Sequence, residues 1–232
     1  MRKNKDSSFF SLRVLLLITG CSLLLVFLAS CSSVHKGPGY DKTYAVASWY
    51  GPKFHGRPTS SGDIFNMYSM TCAHREYPFG TRLKVTNTEN NRSAECIVND
   101  RGPFVEDRDI DLSYAVAREI GVTGSGIARV LLEPHGRDNS YIRPVKLRIS
   151  GKTGPFAIQV GSFTENINAI RLKTGLRLKY TNVYIQDTEV KGTIYYRVRV
   201  GNYQDYNSAL SVAEQLGQEG YPTILLKADV KI

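Results

Sequence analysis

The chain has 232 residues, 42% hydrophobic and 22% charged, which suits one or two globular domains and excludes a largely disordered chain. Nine prolines and 20 glycines exclude collagen-like or linker-dominated architectures. The formal charge of +9 is uneven: residues 1–30 carry +3, residues 40–132 are neutral with 11 basic against 11 acidic, and residues 152–232 carry +3.

Met1 to Arg13 is basic, and Val14 to Ser30 is an apolar run without a charge. Such a run serves either as a signal segment or as a short membrane-spanning helix. It ends in Leu28-Ala29-Ser30-Cys31, which resembles the bacterial lipoprotein box. That resemblance implies cleavage before Cys31 and acylation of its thiol, with palmitate-type chains holding the protein to a membrane at about 0.8 kcal/mol per buried methylene. Ile18-Thr19-Gly20-Cys21 fits the same box less well, because cleavage there leaves an apolar mature N-terminus. An uncleaved anchor is the remaining alternative. Each reading places the bulk of the chain outside the cytoplasm. Ser32, rather than Asp, follows the lipidated cysteine, and by resemblance to the sorting pattern of double-membraned bacteria this favours the outer membrane, facing the periplasm. This address argues against a nucleic-acid partner, although the basic balance alone would suit one.

Two cysteines remain, Cys72 and Cys96. In an oxidising compartment an even pair reads as a disulfide, which would contribute roughly 3 kcal/mol through chain entropy, or else as two buried thiols. No Cys/His spacing resembles a zinc site, and no metal or organic cofactor is expected.

Residues 31–43 form a tether, and residues 44–132 read as short strands divided by turns. Tyr44 to Tyr50, Arg82 to Asn87, Ser93 to Val98 and Ile127 to Leu132 are strands. Leu112, Ala115, Val116 and Ile120 share one helical face, with Asp111 placed to cap its start and Gly121 beyond its end. Short strands with a single helix predict a small, mainly β barrel. Residues 133–151, in which Ile142 to Ile149 can form a further strand, join it to a second domain, residues 152–232, which repeats internally with a period of 40: Gln159-Val160-Gly161-Ser162-Phe163 matches Arg199-Val200-Gly201-Asn202-Tyr203. Ala169, Leu172 and Leu176 match Ala209, Val212 and Leu216. Two strand–helix–strand units predict an α+β, ferredoxin-like βαββαβ sheet of four strands, with both helices on one face. The strands are Phe156–Gly161, Asn182–Asp187, Ile194–Val200 and Thr223–Lys227. Ile158, Val160, Val198 and Val200 point to the helices. Gln159, Tyr184, Tyr195, Arg197 and Arg199 point to the open face. Amide, aromatic and guanidinium groups on an open sheet suit a polymer, and outside the cytoplasm that polymer is a glycan.

An ordered series of motifs then follows: Ala47-Ser48-Trp49-Tyr50-Gly51, Phe54-His55-Gly56-Arg57, Cys72-Ala73-His74-Arg75, Pro78-Phe79-Gly80-Thr81, Val85-Thr86-Asn87, Val98-Asn99-Asp100-Arg101-Gly102-Pro103-Phe104 and Ile110-Asp111-Leu112-Ser113. The series resembles the rare lipoprotein A family, in which a double-psi β-barrel is joined to a SPOR domain behind a lipoprotein signal. The resemblance implies an endolytic peptidoglycan transglycosylase. It also implies a SPOR domain that recognises septal glycan strands stripped of their stem peptides. The chain departs from the family pattern at Asp63, where the family has Glu, at Asn66, where it has Asp, and at Cys72, where it has Ala.

Lytic cleavage needs one carboxyl that protonates the glycosidic oxygen and then takes a proton from the muramyl 6-hydroxyl, which closes a 1,6-anhydro ring. Asp100, after a strand and before a Gly-Pro turn, is the first candidate. Asp111 is the second, and helix capping is its bland alternative. Asp63 and His74 are further candidates for orienting substrate or a carboxylate. Trp49 and Tyr50 are candidates for stacking on sugar rings, with barrel core the plainer reading for Trp49. The rival functions are a non-catalytic septal glycan binder, which Asn66 favours, and expansin-like loosening of the wall.

Overall fold

A computed structural model describes residues 41–228. The expected signal segment and the lipidation at Cys31 lie outside them. The first domain comprises β1 (Thr43–Trp49), β2 (Thr71–His74), β3 (Thr81–Asn87), β4 (Ser93–Asp100), β5 (Ile110–Leu112) and β6 (Ile127–Arg137), with one helix, α1 (Tyr114–Glu119). The strands close into a barrel in the order β1-β5-β2-β4-β3-β6. The period of two drives the closure: Leu83 and Val85 of β3 are fully buried, while Arg82 and Lys84, which alternate with them, are exposed. β1 runs parallel to β5, and β2 runs parallel to β4. Cys72 and Cys96 are joined as a disulfide and both are buried in this core.

The register of these strands lays out the site. Ser48 of β1 pairs with Asp111 of β5, Asp111 pairs with Ala73 of β2, and Ala73 pairs with Asp100 of β4. Asp111 and Asp100 therefore stand level on either side of the fully buried Ala73, with backbones two strand spacings, about 10 Å, apart. The helix cap expected at Asp111 is supplied by Ser113, whose hydroxyl accepts a hydrogen bond from the Val116 N–H at 3.3 Å. Asp111 lies in β5 because pairing on both of its sides fixes an extended backbone there. Gly121 ends the helix region at φ +77°, a left-handed conformation that glycine adopts without penalty.

The predicted joint is partly structured. β6 continues to Arg137, five residues past the expected Leu132, because Pro134 to Arg137 pair with Thr81 to Leu83 of β3. The second domain holds β7 (Lys146–Arg148), β8 (Thr153–Phe163), α2 (Asn166–Arg177), β9 (Val183–Val190), β10 (Thr193–Asp205), α3 (Tyr206–Gln218) and β11 (Ile224–Lys227). Its sheet has five strands, β7-β11-β8-β10-β9, rather than four. The added edge strand comes from the joint and pairs in parallel with β11. Ile158, Val160, Val198 and Val200 are fully buried with Ala169, Leu172 and Leu176 of α2. In α3 the buried positions are Ala209, Ala213, Leu216 and Gly217, and Val212 is only half-buried.

The two domains are clasped by Arg101. Only 3% exposed, its guanidinium lies 3.8 Å from the Phe79 ring centre, donates to the Tyr77 carbonyl at 3.0 Å and donates to the Tyr221 hydroxyl at 2.6 Å. Tyr221 belongs to the second domain, and the Phe79 N–H adds a 2.9 Å bond to its Glu219 carbonyl. Gly220 permits that approach: at φ +97°, a side chain there would meet the Phe79 Cβ at 2.9 Å. A buried cation that loses one acceptor costs about 1–3 kcal/mol. In a domain pair of this size, Tyr221→Phe is therefore expected to lower the thermal midpoint by roughly 2–10 °C. Calorimetry of the variant checks this, and an unchanged midpoint would remove Arg101 as the clasp.

Candidate active site

The strand row from Ser48 to Asp100 opens at the barrel mouth into a cleft of about 270 Å³. Tyr50, Asp100, Arg108 and Asp111 line it from the barrel. Ile167, Ile170, Arg171 and Thr174 of α2 line it from the second domain.

Asp100 is held from three directions. The Tyr50 hydroxyl donates to Oδ2 at 3.0 Å, and the N–H groups of Ser60 and Arg101 each donate to Oδ1 at 2.8 Å. The Tyr50 ring is set by Phe65, with centroids 4.8 Å apart, and by Phe54, at 5.5 Å. Burial, reinforced by the charges of Asp100 and Asp111, pushes the Tyr50 phenol well above its ordinary value, so it stays protonated and donates.

Asp111 accepts a short hydrogen bond from the Ser48 hydroxyl, which in turn accepts one from Arg108 Nη1 at 2.8 Å. The same Nη1 lies 3.7 Å from Asp111 Oδ1. Burial raises the Asp111 carboxyl above the usual carboxylate range; Ser48 and Arg108 pull it back, and the Asp100 charge adds to the rise. The cleft thus holds two carboxyls, one of which is biased toward its protonated form. Two neighbouring carboxyls in different environments are suited to giving up and taking back a proton.

The other sequence candidates stand elsewhere. Asp63 accepts hydrogen bonds from Asn99 Nδ2 at 3.2 Å and from the Tyr141 hydroxyl at 2.7 Å, so it ties the strand end before Asp100 to the joint. Asn66 caps a turn, accepting from the Tyr68 N–H at 3.0 Å. His74 Nδ1 accepts from the N–H groups of Glu76 and Tyr77, each at 3.1 Å, and its ring packs 4.1 Å from that of Tyr77. Trp49 packs against Tyr114, with ring centroids 5.6 Å apart, and does not line the cleft. On the second domain, the register sets Arg199 directly between Gln159 and Tyr184, forming a row across three strands. Gln159, Tyr184, Tyr195 and Arg197 are half-buried, whereas Arg199, expected on the open face, is only 4% exposed. Gln159 also borders a second cavity of about 410 Å³ with Arg143, Lys146 and Thr223. Sequence reasoning missed Ser48, Arg108 and Arg171, because their neighbours in the cleft come from other strands and from the other domain. Among the described residues no group of three or more His, Cys, Asp or Glu side chains is placed to hold a metal ion.

A closed six-strand barrel with two carboxyls at its mouth, joined to an α/β sheet domain, defines a two-domain protein of the double-psi barrel class. Residues 42–132 match the double-psi barrel family described as lytic transglycolase, and residues 152–227 match the SPOR domain. The chain is 38% identical over 185 residues to the endolytic peptidoglycan transglycosylase RlpA of Vibrio cholerae, covering 78% of this chain and 67% of that protein. The protein of the same name from Helicobacter pylori is 35% identical over 202 residues, covering 79% of this chain and 64% of that one. A Synechocystis protein named as a probable RlpA is 54% identical over 88 residues, covering 38% of this chain and 27% of that one. The chain thus spans about two thirds of the length of the first two relatives. It belongs to the rare lipoprotein A family.

Burial, followed by the charges of Arg101 and Arg75, lowers His74 to about 3, which keeps it the neutral acceptor its turn requires. Between that value and the unfolded value near 6.5, the unfolded chain binds more protons than the folded one. Stability is therefore complete above pH 6.5 and falls as the pH drops toward 3, by up to about 1.4 kcal/mol per unit. His74→Gln, which keeps an acceptor that does not titrate, is expected to flatten this slope in urea titrations at pH 6.5, 5.5 and 4.5. Equal slopes in the two proteins would contradict the assignment.

Proposed function

We propose that the chain is an endolytic peptidoglycan transglycosylase that cuts glycan strands stripped of stem peptides and leaves 1,6-anhydromuramyl ends. The observation that carries this reading is the pair Asp100 and Asp111 in one cleft, with Asp111 raised by burial. Burial biases Asp111 toward its protonated form, which gives the cleft a proton to hand on. That proton passes to the bridging oxygen as the bond from the muramyl C1 to that oxygen breaks. The muramyl 6-hydroxyl then bonds to C1 and returns its proton to the pair. No water enters, so no second water-activating base is required. Asp100, oriented by Tyr50, Ser60 and Arg101, faces the sugar, and Asp111 sets the charge of the pair.

Asp63 and Asn66, where the chain departs from the family pattern, lie outside the cleft lining, which favours the catalytic reading over the non-catalytic glycan binder. Gln159, Tyr184, Tyr195 and Arg197, half-buried on three neighbouring strands, serve as the face that gathers peptide-free strands at the division septum. Lipid on Cys31 holds the protein to the membrane on the periplasmic side, with the outer membrane favoured. Anchor and sheet together raise the local concentration of wall at the barrel.

Asp100→Asn and Asp111→Asn are each expected to lower the release of 1,6-anhydromuramyl ends from peptide-free strands at least about a hundredfold, measured by mass spectrometry, while sedimentation with sacculi is unchanged. Equal release by wild type and both variants would overturn the assignment. Sacculus binding with no new chain ends from the wild type would leave only the glycan-binding module.

A further inference from the structure

α2 of the second domain has two faces. Ala169, Leu172 and Leu176 are buried against the sheet. Ile167, Ile170, Arg171 and Thr174, at helical spacing on the other face, border the same cleft as Asp100 and Asp111. Ile167 and Ile170 are 46% and 44% exposed, so this wall is open to a ligand. Arg171 lies with its guanidinium 4.8 Å from the Phe54 ring centre, and Phe54 packs on Tyr50, which donates to Asp100. Of the other two arginines that line the cleft, Arg108 is committed to Ser48 and Asp111, and Arg101 to Tyr77 and Tyr221. Arg171 makes no hydrogen bond or close ion pair with any described residue. Its charge nevertheless reaches the site, where it acts on both Tyr50 and Asp111.

We propose that Arg171 is a specificity-determining residue contributed by the second domain to the barrel's cleft, where its guanidinium binds the free lactyl carboxylate of muramic acid. This rests on the peptidoglycan-cleaving reading above. The chemistry follows from the substrate. The sugar whose anomeric bond breaks is the muramic acid itself, so its lactyl group enters the cleft with the scissile bond. With a stem peptide attached, that group is a neutral amide followed by a bulky chain. Without the peptide it is a carboxylate, which the planar fork of an arginine matches with two parallel hydrogen bonds. The Phe54 ring supports the guanidinium through a cation–π contact without using its N–H donors. Selection for peptide-free strands is thereby built into the cutting site itself, separately from the sheet face on the far strands.

The test uses the full chain, peptide-free strands, and the same strands with their lactyl carboxyls converted to methylamides. The wild type is expected to cut the free-acid strands with kcat/KM about tenfold to a hundredfold higher. Arg171→Gln is expected to lose that preference by slowing on the free-acid strands alone, and Arg171→Lys to keep part of it. In parallel, the side-chain Nε resonance of Arg171 in the wild type is followed by NMR during titration with a short peptide-free oligosaccharide, and is expected to shift with the free acid and not with the methylamide. Equal cutting of both strands, equal slowing of both by Arg171→Gln, or a silent Arg171 resonance overturns the inference and leaves the catalytic reading intact. An Arg171 shift specific to the free acid, with no anhydro ends formed by the wild type, supports the inference and overturns the catalytic reading.

Discussion

The burial of Arg101 between two domains is the constraint on which the rest of the molecule depends. Its side chain leaves the strand end one residue after Asp100, lies on Phe79 and finds its acceptors in Tyr77 and in Tyr221 of the second domain. A guanidinium so deeply buried is tolerated only when its donors are paired, so the second domain has to sit where Tyr221 can reach it. That position brings α2 over the barrel mouth. Arg101 thus fixes, through adjacent residues, both the backbone N–H that orients Asp100 and the opposite wall of the cleft.

The carboxyl pair itself is a product of strand register. Asp100 and Asp111 are eleven residues apart in a loop-rich segment, yet each pairs with Ala73, one from either side. A larger residue at position 73 would separate them, and a one-residue slip would turn one of them to the opposite face of its strand. The disulfide between Cys72 and Cys96 links the strand that carries Ala73 to the one that carries Asp100. The same segment thereby combines structural fixing with the chemistry it holds in place.

His74 and Asp63 illustrate how a polar residue near a site can work without entering it. His74 spends Nδ1 on two backbone N–H groups beside the arginine clasp. Asp63 gathers Asn99 and Tyr141, one from the strand that ends in Asp100 and one from the joint. Both side chains hold the frame in which the carboxyl pair is set, and their distance from the cleft follows from partners that sequence order does not reveal.

By itself the sequence determined the two domains, their classes and most strands, because hydrophobic periods of two and 3.6 and a repeat of 40 residues are local signals. It also singled out Asp100, at a strand end before a Gly-Pro turn, and Asp111, through its Asp-Leu-Ser motif. It misplaced the cap at Asp111, and it offered a strand within Ile142 to Ile149 without assigning it to the second sheet, because both depend on pairing with strands distant along the chain. The exposure of Arg199 and the facing of Arg171 into the cleft were likewise decided by packing. Only the tertiary structure unites Ser48, Arg108, Asp100 and Asp111 with Arg171 of another domain, since contacts between residues dozens of positions apart leave no mark in local periodicity.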